Sequence, residues 1–201
     1  MISSYDKLTI GKYLEIKKVI ESDYDDIDKN VQLICILGDY DEETVLDLPL
    51  SGFNRLLQGT AFLASTPKPN PVSHRYKLGK MELEITNLEK MTTAQFIDYQ
   101  TFIKDENKIV ELLSVLLIPK GCKYNDGYDI LDVQKLIKEN LSILDCLGLS
   151  AFFLQLYQAL LKSTVTYSIK KLRKVMKKEK DMEKRMMMEK AIRNLELSGV
   201  L

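Results

Sequence analysis

Two stretches of the chain share one arrangement of apolar and polar positions. In "LTIGKYLEIKKVI" (8–20) the residues Tyr13, Ile16, Val19 and Ile20 recur at helical spacing behind Thr9. In "MTTAQFIDYQTFI" (91–103) Phe96, Tyr99, Phe102 and Ile103 do the same behind Thr92. A threonine hydroxyl accepts a bond from a free N–H at a helix start, so both threonines read as N-caps. The likeness resumes as "VQLICIL" (31–37) against "VELLSVL" (110–116), both dense enough to lie in a core. Either fits a short buried helix or a strand, and the charged turns before them favour helices. A third block sets "YDEETVLDLPLSGF" (40–53) beside "YDILDVQKLIKENL" (128–141), with Asp41 and Asp129 placed to cap a third helix.

Three blocks in the same order predict two copies of one helical unit, neither able to bury its apolar face alone. Between them, "ASTPKPNPVSHRY" carries Pro67, Pro69 and Pro71 at alternate positions and reads as an extended linker. Alternation at Tyr76, Leu78, Met81, Leu83 and Ile85, interrupted by Gly79, predicts a small β-hairpin.

Beyond the second copy, residues 147–176 predict a long helix. Its apolar stripe is Phe153, Leu156, Tyr157, Leu160 and Leu161, continued by Thr164, Ile169, Leu172 and Met176. The stripe then thins into a basic, Met-rich extension. The expected fold is mainly α. Residues 1–64 form a first helical repeat, 65–88 a Pro-rich linker and hairpin, and 89–150 a second repeat. Residues 151–201 form a long C-terminal helix projecting from one compact domain.

Charge changes this picture at the C-terminal end only. Lys plus Arg and Asp plus Glu both number 29. Residues 162–190 hold eleven Lys/Arg against four Asp/Glu, so residues 1–161 carry the opposite excess. That asymmetry marks either a solvated helix or a tail with its own partner. The candidate partner-binding residues are Lys170, Lys171, Arg173, Lys174, Lys177, Lys178, Met182 and Met186. The cations neutralise acidic groups, and methionines make an adaptable apolar surface. Phosphates of a nucleic acid are an alternative target for the basic segment.

Catalytic groups are scarce. His74 is the single histidine and stands in the proline-rich stretch. With one histidine no Ser–His or Cys–His set is convincing, and no Walker or dinucleotide fingerprint is present. "DYDDID" (23–28) and "NDGYDILD" (125–132) are acidic but do not follow the calcium-loop order, so turns and caps explain them. No enzyme activity, cofactor or metal is expected. Cys35, Cys122 and Cys146 show no paired spacing, and the start lacks an apolar signal segment, which points to a reducing compartment. The longest apolar run, 112–118, is too short to span a bilayer, so no membrane partner is expected.

The motifs "LTIGKYLEI", "LDLPLSGF", "MTTAQFIDYQ" and "IPKGCKYNDGYDI" together resemble a group of small morphogenesis proteins of tailed bacteriophages, some tail-assembly-chaperone-like. The likeness spans roughly residues 5–160 and defines no functional residues. It implies a non-enzymatic role in building the virion, in the host cytoplasm or in the particle. The implied partner is a helical tape-measure protein or another virion protein, and copies of this chain are a further possibility. A structural subunit of neck or tail is the alternative within that resemblance.

Overall fold

The computed structural model describes residues 1–87 and 90–197. The chain divides into two compact units, Met1–Leu149 and Ser150–Leu201. Helix makes up 65% of it, with a three-stranded antiparallel sheet, so the fold is mainly α. The expected boundary at residues 88 and 89 lies outside the described residues.

In the first unit, Thr9 accepts a bond from Lys12 N at 3.4 Å and starts α1 (Ile10–Ile20). Asp25 caps α2 (Asp26–Gly38) by accepting from Ile27 N and Asp28 N, which gives part of the acidic stretch a structural role. At its other end α2 stops on Asp39, which takes a left-handed φ of 54°. Lys12 of α1 secures that terminus. Its ammonium donates to Ile36 O at 2.9 Å and pairs with Asp39 at 2.7 Å, a cation placed where the helix dipole is negative.

Asp41 then caps α3 (Glu42–Leu46), and α4 (Leu50–Gln58) follows. The third block was expected to be one helix in each copy. Here it is split, because Pro49 pushes Leu48 before it away from helical backbone.

The predicted hairpin forms as β1 (Arg75–Leu78) and β2 (Met81–Ile85). Gly79 supplies the positive φ of 57° that the tight turn needs. Tyr76, Leu78 and Leu83 are buried, and Tyr76 lies opposite Leu83 in the ladder. The proline-rich stretch before it is irregular but held. Asn70 N donates to Leu144 O at 3.0 Å, and Asn70 Nδ2 donates to Asp145 Oδ1 at 2.9 Å.

Thr92 accepts from Gln95 N at 3.2 Å and opens α5 (Thr93–Phe102). Helix α6 (Ile109–Leu116) is buried almost all round, consistent with a sequence that is apolar except at Glu111 and Ser114. It runs straight into β3 (Leu117–Pro119), which pairs antiparallel with β2, Leu83 facing Pro119 and Ile85 facing Leu117. The sequence reading contained no such strand. Pro119 is tolerated there because β3 is an edge strand. Asp129 caps α7 (Ile130–Asn140) by accepting from Leu131 N at 2.8 Å.

Helix α1 packs on α2 and α7, and α6 packs on α5 and α7. The start of α1 is also tied to the chain after α7, since Ile10 N donates to Leu141 O and Ile143 N donates to Leu8 O. At positions the two stretches share, burial agrees in five pairs, Ile16 and Tyr99, Val31 and Val110, Ile34 and Leu113, Leu37 and Leu116, and Val45 and Val133, but Leu33, Cys35 and Ile36 are half-buried where Leu112, Ser114 and Val115 are buried. Two expected core positions differ. Ile20 is 55% exposed at the end of α1. Phe96 is also exposed, because α5 turns Gln95 and Tyr99 inward instead, where Gln95 finds polar partners.

The second unit contains most of α8 (Ile143–Met176) and all of α9 (Met182–Leu197). Phe153 and Ile169 of the expected stripe are buried, and Leu156, Tyr157, Leu161, Leu172 and Met176 are half-buried. Leu160 and Thr164 lie outside the described side chains. The C-terminal region is not a single long helix. Glu179 accepts from Lys180 N and Asp181 N, and Asp181 accepts from Glu183 N at 3.0 Å, which ends one helix and starts the next.

Asp41 gives this fold a local pH dependence. Its carboxylate accepts from Thr44 N at 2.8 Å and from Thr44 Oγ1 at 2.9 Å, which holds it below the usual Asp range. A depressed carboxyl pKa stabilises above the unfolded value, and that contribution fades as pH falls through the folded value. The protection of α3 amides, taken against the intrinsic exchange rate at each pH, should therefore fall on acidification in the native chain. In Asp41→Asn, which keeps an acceptor but no titrating group, that acid-dependent component is expected to vanish.

Candidate functional site

The candidate residues of the sequence fall on two helices of the second unit and on the turn between them, which carries Lys177 and Lys178. At about 100° per residue, Lys170, Lys171, Arg173 and Lys174 share about 160° of arc. The half-buried residues Leu172 and Met176 and the buried Ile169 lie on the other side. All six cations are exposed. Arg173 donates to Glu196 Oε1 at 2.8 Å, joining the last turn of α8 to that of α9. Among the described residues no carboxylate pairs with the other five. The face therefore holds unneutralised positive charge available to an anionic group.

Tyr167 belongs to the same arc, one turn before Lys170 and Lys171, and is 66% exposed. The candidate residues named from the sequence do not include it. Helical spacing would have found it, since Tyr167, Lys170, Lys174 and Lys178 follow one another at three- and four-residue steps.

Met182 and Met186 sit on α9, beyond the break at 177–181 that holds Lys177 and Lys178. They are 72% and 65% exposed, and Met187 beside them is 64% exposed. Met188, Ala191, Ile192 and Leu195 form the inward stripe of α9 instead. Glu183, Met186, Met187, Glu189, Lys190, Arg193 and Asn194 line an open depression along its outer side. Large unbranched apolar side chains turned to solvent suit an apolar partner surface, and the two acids and two cations beside them leave that depression without a charge excess.

A second feature, missed by the sequence reading, lies in the first unit. Tyr40, Thr44, Val45, Leu48, Gly52 and Leu56 line a cavity of about 260 Å³ between α3 and α4, with Arg55 at its side. Val31, Ile34 and Val45, the last of which also lines the cavity, form a fully buried cluster against which the half-buried Cys35, Phe53, Leu56 and Leu57 pack. The sequence signal was present, because "LSGFNRLLQ" is strongly amphipathic. What the sequence did not show is that α4 buries none of its residues completely.

Titrating groups in the first unit offer little chemistry. Burial, then Glu42 and Asp41, push the Cys35 thiol above its ordinary range, so it stays protonated. Burial, then a 2.7 Å bond to Asp98 Oδ2, do the same to the Tyr124 phenol. His74 precedes β1 in the irregular stretch. Among the described residues no three His, Cys, Asp or Glu side chains come together as metal ligands, and no helix is long and apolar enough to cross a membrane. Comparison with protein-family models, with curated proteins and with solved structures finds no match to this chain.

Proposed function

We propose that the chain is a non-enzymatic assembly protein of a tailed bacteriophage, tail-assembly-chaperone-like, acting in the host cytoplasm. It binds a helical virion partner through its second unit. The observation that carries this reading is the exposure of Met182, Met186 and Met187 on α9, an apolar surface without cover among the described residues. The lysines of α8 add orientation by charge. Two related helical copies make the rigid body in this reading. Its supports are the paired caps Thr9 and Thr92 and Asp41 and Asp129, and the paired buried positions of α2 and α6.

Co-expression with a phage tape-measure protein tests it. The native chain is expected to raise the soluble yield of that protein and to co-purify with it. Met182→Glu/Met186→Glu/Met187→Glu, changing exposed positions only, is expected to abolish co-purification while the chain stays folded. Recovery of the native chain in purified particles at fixed stoichiometry would instead favour a structural subunit.

Exposed Tyr167 within the basic arc favours a second reading, nucleic-acid binding, since aromatic faces stack bases where lysines hold phosphates. It predicts retention on single-stranded DNA that falls steeply with salt and is lost in Lys170→Glu/Lys174→Glu. No retention at low salt would remove it.

A further inference from the structure

We propose that copies of this chain associate head to tail, the acidic turn between α1 and α2 of one copy docking on the basic face of α8 of the next. Residues 20–28 hold five carboxylates and no Lys or Arg. Asp25 is used as the cap of α2, and Glu21 pairs with Lys17 at 3.7 Å. Asp23, Asp26 and Asp28 are exposed, and none pairs with a cation among the described residues. The same turn puts three large apolar side chains in solvent: Ile20 is 55% exposed, Tyr24 55% and Ile27 68%. Single exposed apolar residues are ordinary, but three in one turn make a patch that capping does not explain.

The chain itself supplies the occupant. Lys170, Lys171 and Lys174 of α8 are exposed, and no carboxylate neutralises them among the described residues. Exposed Tyr167 and Val175 lie on the same side of the helix at about 100° per residue. Each surface therefore offers what the other lacks: acids around Ile20, Tyr24 and Ile27, cations around Tyr167 and Val175. Each also presents a tyrosine, a residue type that interfaces favour.

Charge also sets which surfaces meet. Positive and negative side chains both number 29, so no net repulsion keeps copies apart. Like surfaces brought together would oppose acid to acid or lysine to lysine, which selects the unlike pairing. Because the two surfaces differ, the contact is heterologous and leaves one of each open to a further copy. Capture of a virion partner by the methionines of α9 is a separate event.

Sedimentation velocity of the full chain, from micromolar to millimolar concentration, decides it. The native chain is expected to form dimers and larger species at low salt and to dissociate as salt rises. Asp23→Lys/Asp26→Lys and Lys170→Glu/Lys174→Glu should each lose association, with circular dichroism matching the native chain. Mixed together they should regain it, because the basic α8 of the first still meets the acidic turn of the second. That rescue shows that neither variant had unfolded. Ile20→Ser/Ile27→Ser should weaken association about tenfold. The triple methionine variant should associate like the native chain, so this result stands apart from capture of a tape-measure protein. A native chain that stays monomeric at low salt overturns the proposal, as does association that either charge-reversed variant keeps by itself. A mixture of the two that stays monomeric overturns it as well. Loss of association in the triple methionine variant would place the contact on α9 and likewise overturn it.

Discussion

Leu113→Ala is expected to lower the unfolding free energy by about 3 kcal/mol. Leu113 is 0% exposed, in a helix buried almost all round and packed on α5 and α7. Removing three carbons there loses their transfer free energy and leaves a cavity with little freedom to collapse. A domain of ordinary stability holds about 5–15 kcal/mol, so this one change removes a large share. Urea denaturation checks it: the midpoint falls while the slope stays constant. The paired position gives a comparison. Ile34 is equally buried, but the residues around its cluster are partly exposed and can close in. Ile34→Ala should sit near the low end of the same range, about 2 kcal/mol. A loss below about 1 kcal/mol for Leu113→Ala would mean that α6 is not the centre of the first unit.

Gln95→Leu is expected to cost about 2 kcal/mol, although it makes the core more apolar. The reason lies at the end of α6. Val115 lies in the last turn of α6, and its carbonyl has no N–H ahead of it in the helix because the chain becomes extended at Leu117. Gln95 Nε2 supplies the missing donor at 2.7 Å and also donates to Thr86 Oγ1 at 3.0 Å. Next to it, Thr86 N donates to Leu116 O at 2.8 Å. Leucine fills the volume and leaves a buried carbonyl without its donor. Gln95→Glu should behave differently with pH. A buried carboxyl has a raised folded pKa, so the loss deepens as pH rises above the ordinary Glu value and shrinks in acid. Denaturation at two pH values reads both outcomes. A neutral result for Gln95→Leu would mean that Val115 O finds another donor.

Legibility in the sequence followed the distance over which each feature is decided. The caps Thr9, Thr92, Asp41 and Asp129 were readable because each side chain bonds an N–H two or three residues away. The hairpin was readable because Gly79 and the alternation around it lie within eleven residues, 75–85. The basic face of the candidate surface was readable from composition. Its aromatic member, Tyr167, needed the helical turn to be traced past the charged run. The break before α9 was signalled by Asp181 two residues before Glu183, a local cap that the longer charge pattern concealed.

The sequence alone determined that the chain is mainly helical, where α1, α3, α5 and α7 begin, and that the segments 31–37 and 110–116 contribute to the core. Period and capping act between near neighbours, so the unfolded chain already contains their instructions. Only the tertiary structure decided that Leu117–Pro119 is a strand, that Gln95 rather than Phe96 faces the core, and that α3 and α4 leave a groove. A strand exists by virtue of the strand that pairs with it, a buried amide by virtue of a carbonyl lacking its own donor, and a groove by what two helices fail to cover. Those partners are remote along the chain, and hydrophobic period carries no record of them.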